Sequence, residues 1–502
     1  MNYFSTRGGD SVSGIDAIIR GLSLTGGLFI PASLPEPLDL STLTSLSSQQ
    51  VMAMFFQRYL PEFSLDEWGS ILGEAFRMLE EDAESLELPF TQLNSYFPDY
   101  FILNADDLPT GSLDDISAAI MNVLLPRALA KRNRSYRPIL LNVHTDDFAV
   151  ASSRLASGIQ KLTFVPDRGS RRYELAGFAR QDEIICAYPE SFDERYLELT
   201  KLAADSSFEH TLNGLGFEPL FVGPGHLVGV LTAGAMAAAV IADIARHTDN
   251  IRDVDFVVSR GHLDVLAGLV YASSLQLPVG TVFVGEGESS SMTDLLRTGR
   301  YVQETKKGKR ANKDDASPVN LERLLFEVFG HDVTRLTQVL DDIERSGKTC
   351  LSDTEIELLN HSLVFESCDF KGCQRVMRSV YDRADYLVDR GTAEAIACWE
   401  QRSKKNTDAN TCFILARSPL LDHYLCGRVF LNAQEAGAGR PEVIRLLAVE
   451  SGAKIWPSLE RSFDNAQDNT IPVLTGTLKE AVMNQLNGVC PKMPEQEIGE
   501  AN

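Results

Sequence analysis

The chain has 502 residues, and 47 Lys and Arg stand against 70 Asp and Glu, a formal charge of −23. Its 44% hydrophobic and 23% charged content is that of a globular chain able to bury a large core over several domains. The acidic surplus argues against a nucleic-acid partner, which needs a basic face to neutralise phosphates, and against docking on an anionic membrane.

No run of about 18 apolar residues appears, so no membrane-crossing helix is expected. Leu227 to Ile244 comes nearest, but Thr232 and Asp243 interrupt it, and it reads as a buried helix. Met1 to Ile19 lacks the basic start and apolar core of a secretory signal. The eight cysteines are scattered and form no Cys-x-x-Cys pair, which fits reduced thiols and a cytoplasmic location.

In chain order, residues 1–98 carry mostly helical periodicity, with apolar residues three and four apart over Gln49–Tyr59 and Asp66–Glu80. From Phe101 the texture changes to short apolar runs alternating with helices. The runs 138–143, 161–165, 183–187, 254–258, 279–284 and 411–415 read as strands. Ser112–Arg132, His226–His247 and His262–Ser274 read as helices. This alternation predicts an α/β fold with parallel sheet, whose ligand loops lie at the carboxyl ends of strands. Lys306–Lys313 reads as a solvated basic loop, and Pro491–Asn502 as a frayed tail. The organisation expected is an N-terminal domain over 1–98, two α/β lobes around a cleft over 99–455, and a C-terminal segment over 456–502.

The segments Tyr3-Phe-Ser-Thr-Arg-Gly8, Gly21–Pro31, Thr298–Tyr301, Asn320–Glu327 and Leu387–Ala393, taken in order, resemble the threonine synthase family, fold-type II enzymes that use pyridoxal phosphate (PLP). Tyr3-Phe-Ser-Thr-Arg-Gly8 is similar to the family's opening Tyr-x-Ser-Thr-Arg-Gly. Gly21-Leu-Ser-Leu-Thr-Gly-Gly-Leu-Phe-Ile-Pro31 resembles the next signature, with Thr25 where an aspartate is usual. Thr298-Gly-Arg-Tyr301, Ser317-Pro318, Asn320–Glu327 and Leu387–Ala393 follow in the family's order. The resemblance implies a tryptophan synthase β-like PLP fold, with a helical N-terminal domain and two α/β lobes.

The site segments depart from that pattern. The family's cofactor lysine lies in Pro-Thr-x-x-Phe-Lys-Asp; here the run is Pro109-Thr-Gly-Ser-Leu-Asp-Asp115, so Asp114 stands at the lysine position. A Schiff base needs an amine. The family's Ser-Gly-Asp-Thr-Gly loop matches His144-Thr-Asp-Asp-Phe148, which keeps Asp146 but loses both glycines. Its cofactor-phosphate loop Gly-Asn-Phe-Gly-Asn becomes Gly261-His-Leu-Asp-Val265. Val222–Val228, Gly391 and Ala416-Arg-Ser-Pro419 also differ from their counterparts. The resemblance therefore implies a relative that has lost PLP.

If the fold is kept, these loops bring His144, His226 and His262 to one cleft with Asp114, Asp115, Asp146, Asp147 and Asp264, and Asp106 and Asp107 lie just upstream. Imidazoles with carboxylates are acid–base groups near neutral pH and also a ligand set for a divalent metal. The expected catalytic residues are His144, Asp146, Asp114, His262 and Asp264, with His144, His262 and Asp264 as the metal set. The expected ligand is a small amino-acid-like molecule. A non-catalytic cleft that binds a partner and a retained PLP-dependent threonine synthase site are the two alternatives.

Overall fold

The computed structural model describes residues 1–9, 11–79, 88–92, 100–132, 136–155, 158–167, 171–178, 183–248, 251–287, 291–302, 319–403, 410–415, 417–464 and 471–486. Ser317-Pro318, Lys306–Lys313, Ala416 and Pro491–Asn502 lie outside the described residues.

Fifteen strands are described: β1 Asn2–Ser5, β2 Val12–Ser13, β3 Phe29–Pro31, β4 Phe90–Gln92, β5 Tyr100–Asn104, β6 Arg137–Val143, β7 Gln160–Pro166, β8 Glu183–Tyr188, β9 Phe217–Val222, β10 Val254–Ser259, β11 Val279–Glu286, β12 Arg300–Val302, β13 Lys348–Cys350, β14 Leu363–Ser367 and β15 Asn410–Leu415. They form two principal sheets. One has the order β14-β11-β10-β15-β5-β4 and is parallel except where β4 meets β5; the other, β8-β7-β6-β9, is wholly parallel. The expected runs all fall within strands, and their near-continuous Val, Ile, Leu and Phe content is that of parallel strands covered on both faces.

The N-terminal region is less helical than its periodicity predicts. Besides the helices Ser48–Tyr59 and Leu65–Leu79, it holds an antiparallel sheet of order β2-β1-β3. Strands of two to four residues are too short to show a period-2 pattern. Its apolar residues join the main core: Tyr3, Phe56 and Trp68 belong to one buried cluster with Leu124, Val258 and Ile414.

The helix Leu227–His247 is long and apolar enough to cross a membrane, yet it is buried among other helices and strands. It crosses the helix Leu263–Ser274 at two glycines; a Cβ on Gly268 would lie 2.5 Å from the Gly234 nitrogen. That close approach brings the loops after β9 and β10 together at the carboxyl ends of their strands.

Candidate functional site

The site is built from four strand-to-helix loops and the segment after β15. After β6 comes His144, then Thr145, which caps the helix Asp146–Arg154. The Thr145 backbone N–H donates to His144 Nδ1 at 2.8 Å, and the imidazole stacks on Phe148 with centroids 4.0 Å apart. An accepting Nδ1 leaves the ring proton on Nε2. Burial pushes His144 down to about 3, helped by His226 and His262 and opposed by Asp147. The ring is thus a neutral Nε2–H donor.

Asp147, in the first turn of the same helix, is the hub of a buried ion network. Arg171 Nη1 donates to its Oδ1 at 3.1 Å, and Arg417 Nε stands 2.5 Å from its Oδ2. Burial alone would raise this carboxyl, but Arg417 and Arg171 outweigh it and hold Asp147 below the ordinary carboxylate range. Arg171, only 1% exposed, also donates to Glu174 Oε1 and Oε2 at 3.0 and 2.9 Å and to the Thr110 carbonyl at 2.8 Å. Glu174 takes further bonds from Trp456 Nε1 at 2.9 Å and Ser458 Oγ at 3.1 Å. The Asp147–Arg417 pair joins the four-stranded sheet's β6 loop to the segment following β15 of the six-stranded sheet.

The segment Pro109–Asp115 reaches this network from the other side. Gly111 has φ +65, and a Cβ there would meet the Trp456 ring at 2.6 Å. Thr110 donates its N–H and Oγ1 to Asp115 at 2.8 and 3.0 Å. Asp115 is therefore committed to holding the loop, although burial still pushes it up to about 6. Asp114 opens the helix Asp114–Arg132, and its carboxyl makes no such bond among the described residues. Burial raises it well above the ordinary range; Asp264, Asp147 and Asp115 add to the rise, and Arg417 opposes it. Burial and Asp147 push Asp146 up to about 6, opposed by a hydrogen bond from the Arg171 backbone; its Oδ1 has no hydrogen-bond partner among the described residues.

After β10, Arg260-Gly261-His262 leads into the helix Leu263–Ser274. His262 sits at the N-cap without a side-chain cap bond, and Asp264 lies in the first turn. Burial raises Asp264, and His262 opposes the rise. Asp264 acts electrostatically on Asp114, and His262 acts on both Asp147 and His144. These influences run from Asp264 and Asp147 to Asp114, from Asp147 to Asp146, and from His262 to Asp147 and His144.

Two expectations are corrected. His226 is a structural cap: its Nδ1 accepts from Val228 N–H at 3.2 Å, and its Nε2 donates to the Ile18 carbonyl at 3.0 Å. Both ring nitrogens are spent. The metal set is not assembled either. Among the described residues no group of three or more His, Cys, Asp or Glu is arranged to hold a metal ion, so His144, His262 and Asp264 do not form a ligand triad. One physical reason is that His144 Nδ1 is taken by the backbone.

No described lysine joins the cluster. Lys131 pairs with Glu67 at 2.7 Å, and Lys161, on β7, donates to the Ser152 and Leu155 carbonyls at the carboxyl end of the helix Asp146–Arg154. Lys201 and Lys479 pair with Glu344 and Asp205, and Lys348, Lys371 and Lys454 are exposed.

Arg171, Glu174 and Trp456 escape sequence reasoning. Trp456 is 282 residues from the Glu174 it bonds, and no local pattern signals such a contact. Arg417 carried one signal, its place in the Ala416-Arg-Ser-Pro419 match.

A wholly parallel four-stranded sheet and a mostly parallel six-stranded sheet, joined through the Asp147–Arg417 pair, form a fold-type II α/β architecture, the fold of a group of PLP enzymes. Residues 2–76 match the family described as Threonine synthase N terminus. The chain is 23% identical over 432 residues to threonine synthase of Corynebacterium glutamicum, covering 81% of this chain and 86% of that protein. It is 21% identical over 428 residues to human threonine synthase-like 1, covering 76% of this chain and 53% of that longer protein. Among solved structures, PLP-bound threonine synthase from Brucella melitensis superposes with a TM-score of 0.72 at 18% identity, over 92% of this chain and 99% of that one. Threonine synthase from Escherichia coli gives 0.70 at 16%, over 97% and 100%. Residues 2–76 thus match a threonine synthase N-terminal domain, and the chain shares the fold of the threonine synthase structures.

Proposed function

We propose that this threonine synthase-like protein works without PLP and binds or transforms a small amino-acid-like molecule in the cleft, with His144, Asp114, Asp146, His262 and Asp264 as its acid–base groups. The observation that carries this reading is Asp114. The motif match puts it where the family has its Schiff-base lysine, and it is a carboxyl with its pKa raised. The donor set does not suit the cofactor: a Schiff base needs an amine, and the described lysines are committed or exposed elsewhere. A cofactor phosphate at the start of the helix Leu263–Ser274 would also face Asp264 in its first turn, adding charge to a place that already raises Asp264 and Asp114.

The same charges favour an ammonium group. Arg171 and Arg417 are balanced by Glu174 and Asp147, whereas Asp114, Asp146 and Asp264 have no ion-pair partner among the described residues. A ligand ammonium would let these carboxyls ionise, and the His144 Nε2–H supplies a donor for a carboxylate or carbonyl oxygen. A carboxyl whose pKa lies near the operating pH can then give or take a proton.

The test is direct. Purified protein is mixed with PLP and scanned for the cofactor's bound-lysine absorbance at about 410–430 nm, abolished by borohydride. L-amino acids and O-phosphohomoserine are then titrated by calorimetry against the parent and Asp114→Asn. The expected result is no such band, together with amino-acid binding that Asp114→Asn weakens. A stoichiometric band with phosphate release from O-phosphohomoserine would overturn the reading in favour of a PLP-dependent threonine synthase. Ligand binding in neither protein would favour a non-catalytic cleft.

A further inference from the structure

The atoms around His144 leave it a narrower part than its residue type suggests. The Thr145 backbone N–H donates to Nδ1 at 2.8 Å, and the Thr145 hydroxyl lies 3.1 Å from the same nitrogen. One face of the ring stacks on Phe148, with 4.0 Å between centroids and 21° between planes. Phe148 is a rigid platform, since it is 3% exposed and belongs to the main core with Leu140 and Val222. The imidazole Nε2 makes no hydrogen bond among the described residues, and it is not one of their fully buried polar atoms.

These contacts decide what the ring can do with a proton. A backbone N–H is always a donor, so the nitrogen it faces must keep its lone pair. A proton placed on Nδ1 would meet the Thr145 N–H head-on, and Nδ1 is therefore closed to proton transfer. Nε2 already carries the hydrogen of the neutral ring, and removing it would leave an imidazolate, which no group near neutral pH can generate. The surrounding groups act in the same direction. Burial, His226 and His262 all disfavour a positive charge on the ring, and the one group that favours it, Asp147, is already claimed by Arg171 and Arg417. What remains is a neutral N–H of fixed direction, a preorganised donor able to hold or polarise an oxygen.

We propose that Thr145 and Phe148 are positioning residues that hold His144 as a permanently neutral Nε2–H donor for a ligand carbonyl or carboxylate oxygen, so that proton transfer in the cleft falls to its carboxyls. This rests on the reading of the cleft as a small-molecule site and narrows the part of one residue within it. Both positioning residues stand where the matched family loop has glycine, and a glycine offers neither the hydroxyl nor the ring platform.

The test is nitrogen-15 NMR of the full chain labelled at histidine, with His144→Phe to assign the signal. His144 should appear as the Nε2–H tautomer, unchanged between about pH 5 and 8. Thr145→Ala keeps the backbone N–H and should leave that tautomer in place. Thr145→Pro suits the φ of −61 but removes the N–H and fills its position, so the ring should turn away, mix tautomers and titrate within that range. The protein L-amino acids, added in turn, should move the Nε2 signal where they bind. Phe148→Leu should weaken that binding at least about threefold without changing the tautomer. An Nδ1–H or mixed tautomer in the parent, a ring that titrates above about pH 5, a tautomer unmoved by Thr145→Pro, or a bound amino acid that leaves Nε2 in place would overturn the proposal. Absence of any amino-acid binding would sink the cleft reading itself, while the ligand-free spectra would still decide the tautomer.

Discussion

Arg171→Met is the sharpest probe of the ion network. Methionine approximates the volume of the arginine stem but removes every donor. Glu174, fully buried, would keep only Trp456 Nε1 and Ser458 Oγ, and the Thr110 carbonyl would lose its bond at 2.8 Å. Breaking a buried pair by removing one partner leaves an uncompensated charge and costs about 3–5 kcal/mol. Arg417→Met should cost much less, about 1–2 kcal/mol, because Asp147 retains Arg171 and the Arg417 side chain is 18% exposed. Adding Glu174→Gln to Arg171→Met should recover part of the loss, since the amide oxygen still accepts from Trp456 and Ser458 without a stranded charge. Urea unfolding followed by tryptophan fluorescence and far-UV circular dichroism measures all four proteins. The reasoning is refuted if Arg171→Met is no more damaging than Arg417→Met, or if the double variant is no more stable than Arg171→Met.

Asp146→Asn should raise stability by about 1–2 kcal/mol near pH 8: a folded pKa of about 6 against an ordinary 3.8 means that its charge opposes folding, and the gain should fade as pH drops from about 6 to 4 in melts across that range. His144 has the opposite sign: its folded pKa of about 3 lies below the ordinary 6.5, so the stability of the neutral ring is lost as pH falls through that window, and His144→Phe should flatten the acid limb of the same profile. His226→Ala should cost about 1–2 kcal/mol by removing a helix cap and the bond to Ile18, with amino-acid binding unchanged in the calorimeter. Gly111→Ala should cost about 2–4 kcal/mol, since φ is positive there and the Trp456 ring fills the space, and a shifted tryptophan emission would report the collision.

Elements whose signal is local were legible in the sequence. The helices Ser48–Tyr59 and Leu65–Leu79 and the strands β6, β7, β8, β10, β11 and β15 fall where periodicity and apolar runs put them, because the pattern lies within a few consecutive residues. The sheet β2-β1-β3 did not show, since two to four residues define no period. The motif match brought His144, Asp114, His262 and Asp264 to one cleft, but it could not say what each atom does there. His226 illustrates the gap: the same match that grouped it with the cleft histidines gives no hint that Val228 and Ile18 use both of its nitrogens.

The residues that sequence reasoning missed explain why the ones it found behave as they do. Asp147 is the carboxylate that two guanidinium groups claim, and it alone among the cleft acids is held below the ordinary range. Its charge in turn raises Asp114 and Asp146. Arg171, Glu174 and Trp456 therefore set the protonation of groups they need not touch. They do so because the network locks one full negative charge beside Asp114 and Asp146, which have no ion-pair partner among the described residues. An acidic cleft would ordinarily relieve itself by drawing in solvent or a lysine. Here the nearest described positive charges are already paired, so burial keeps Asp114, Asp146 and Asp264 above the ordinary carboxylate range, and like charge adds to the rise at Asp114 and Asp146.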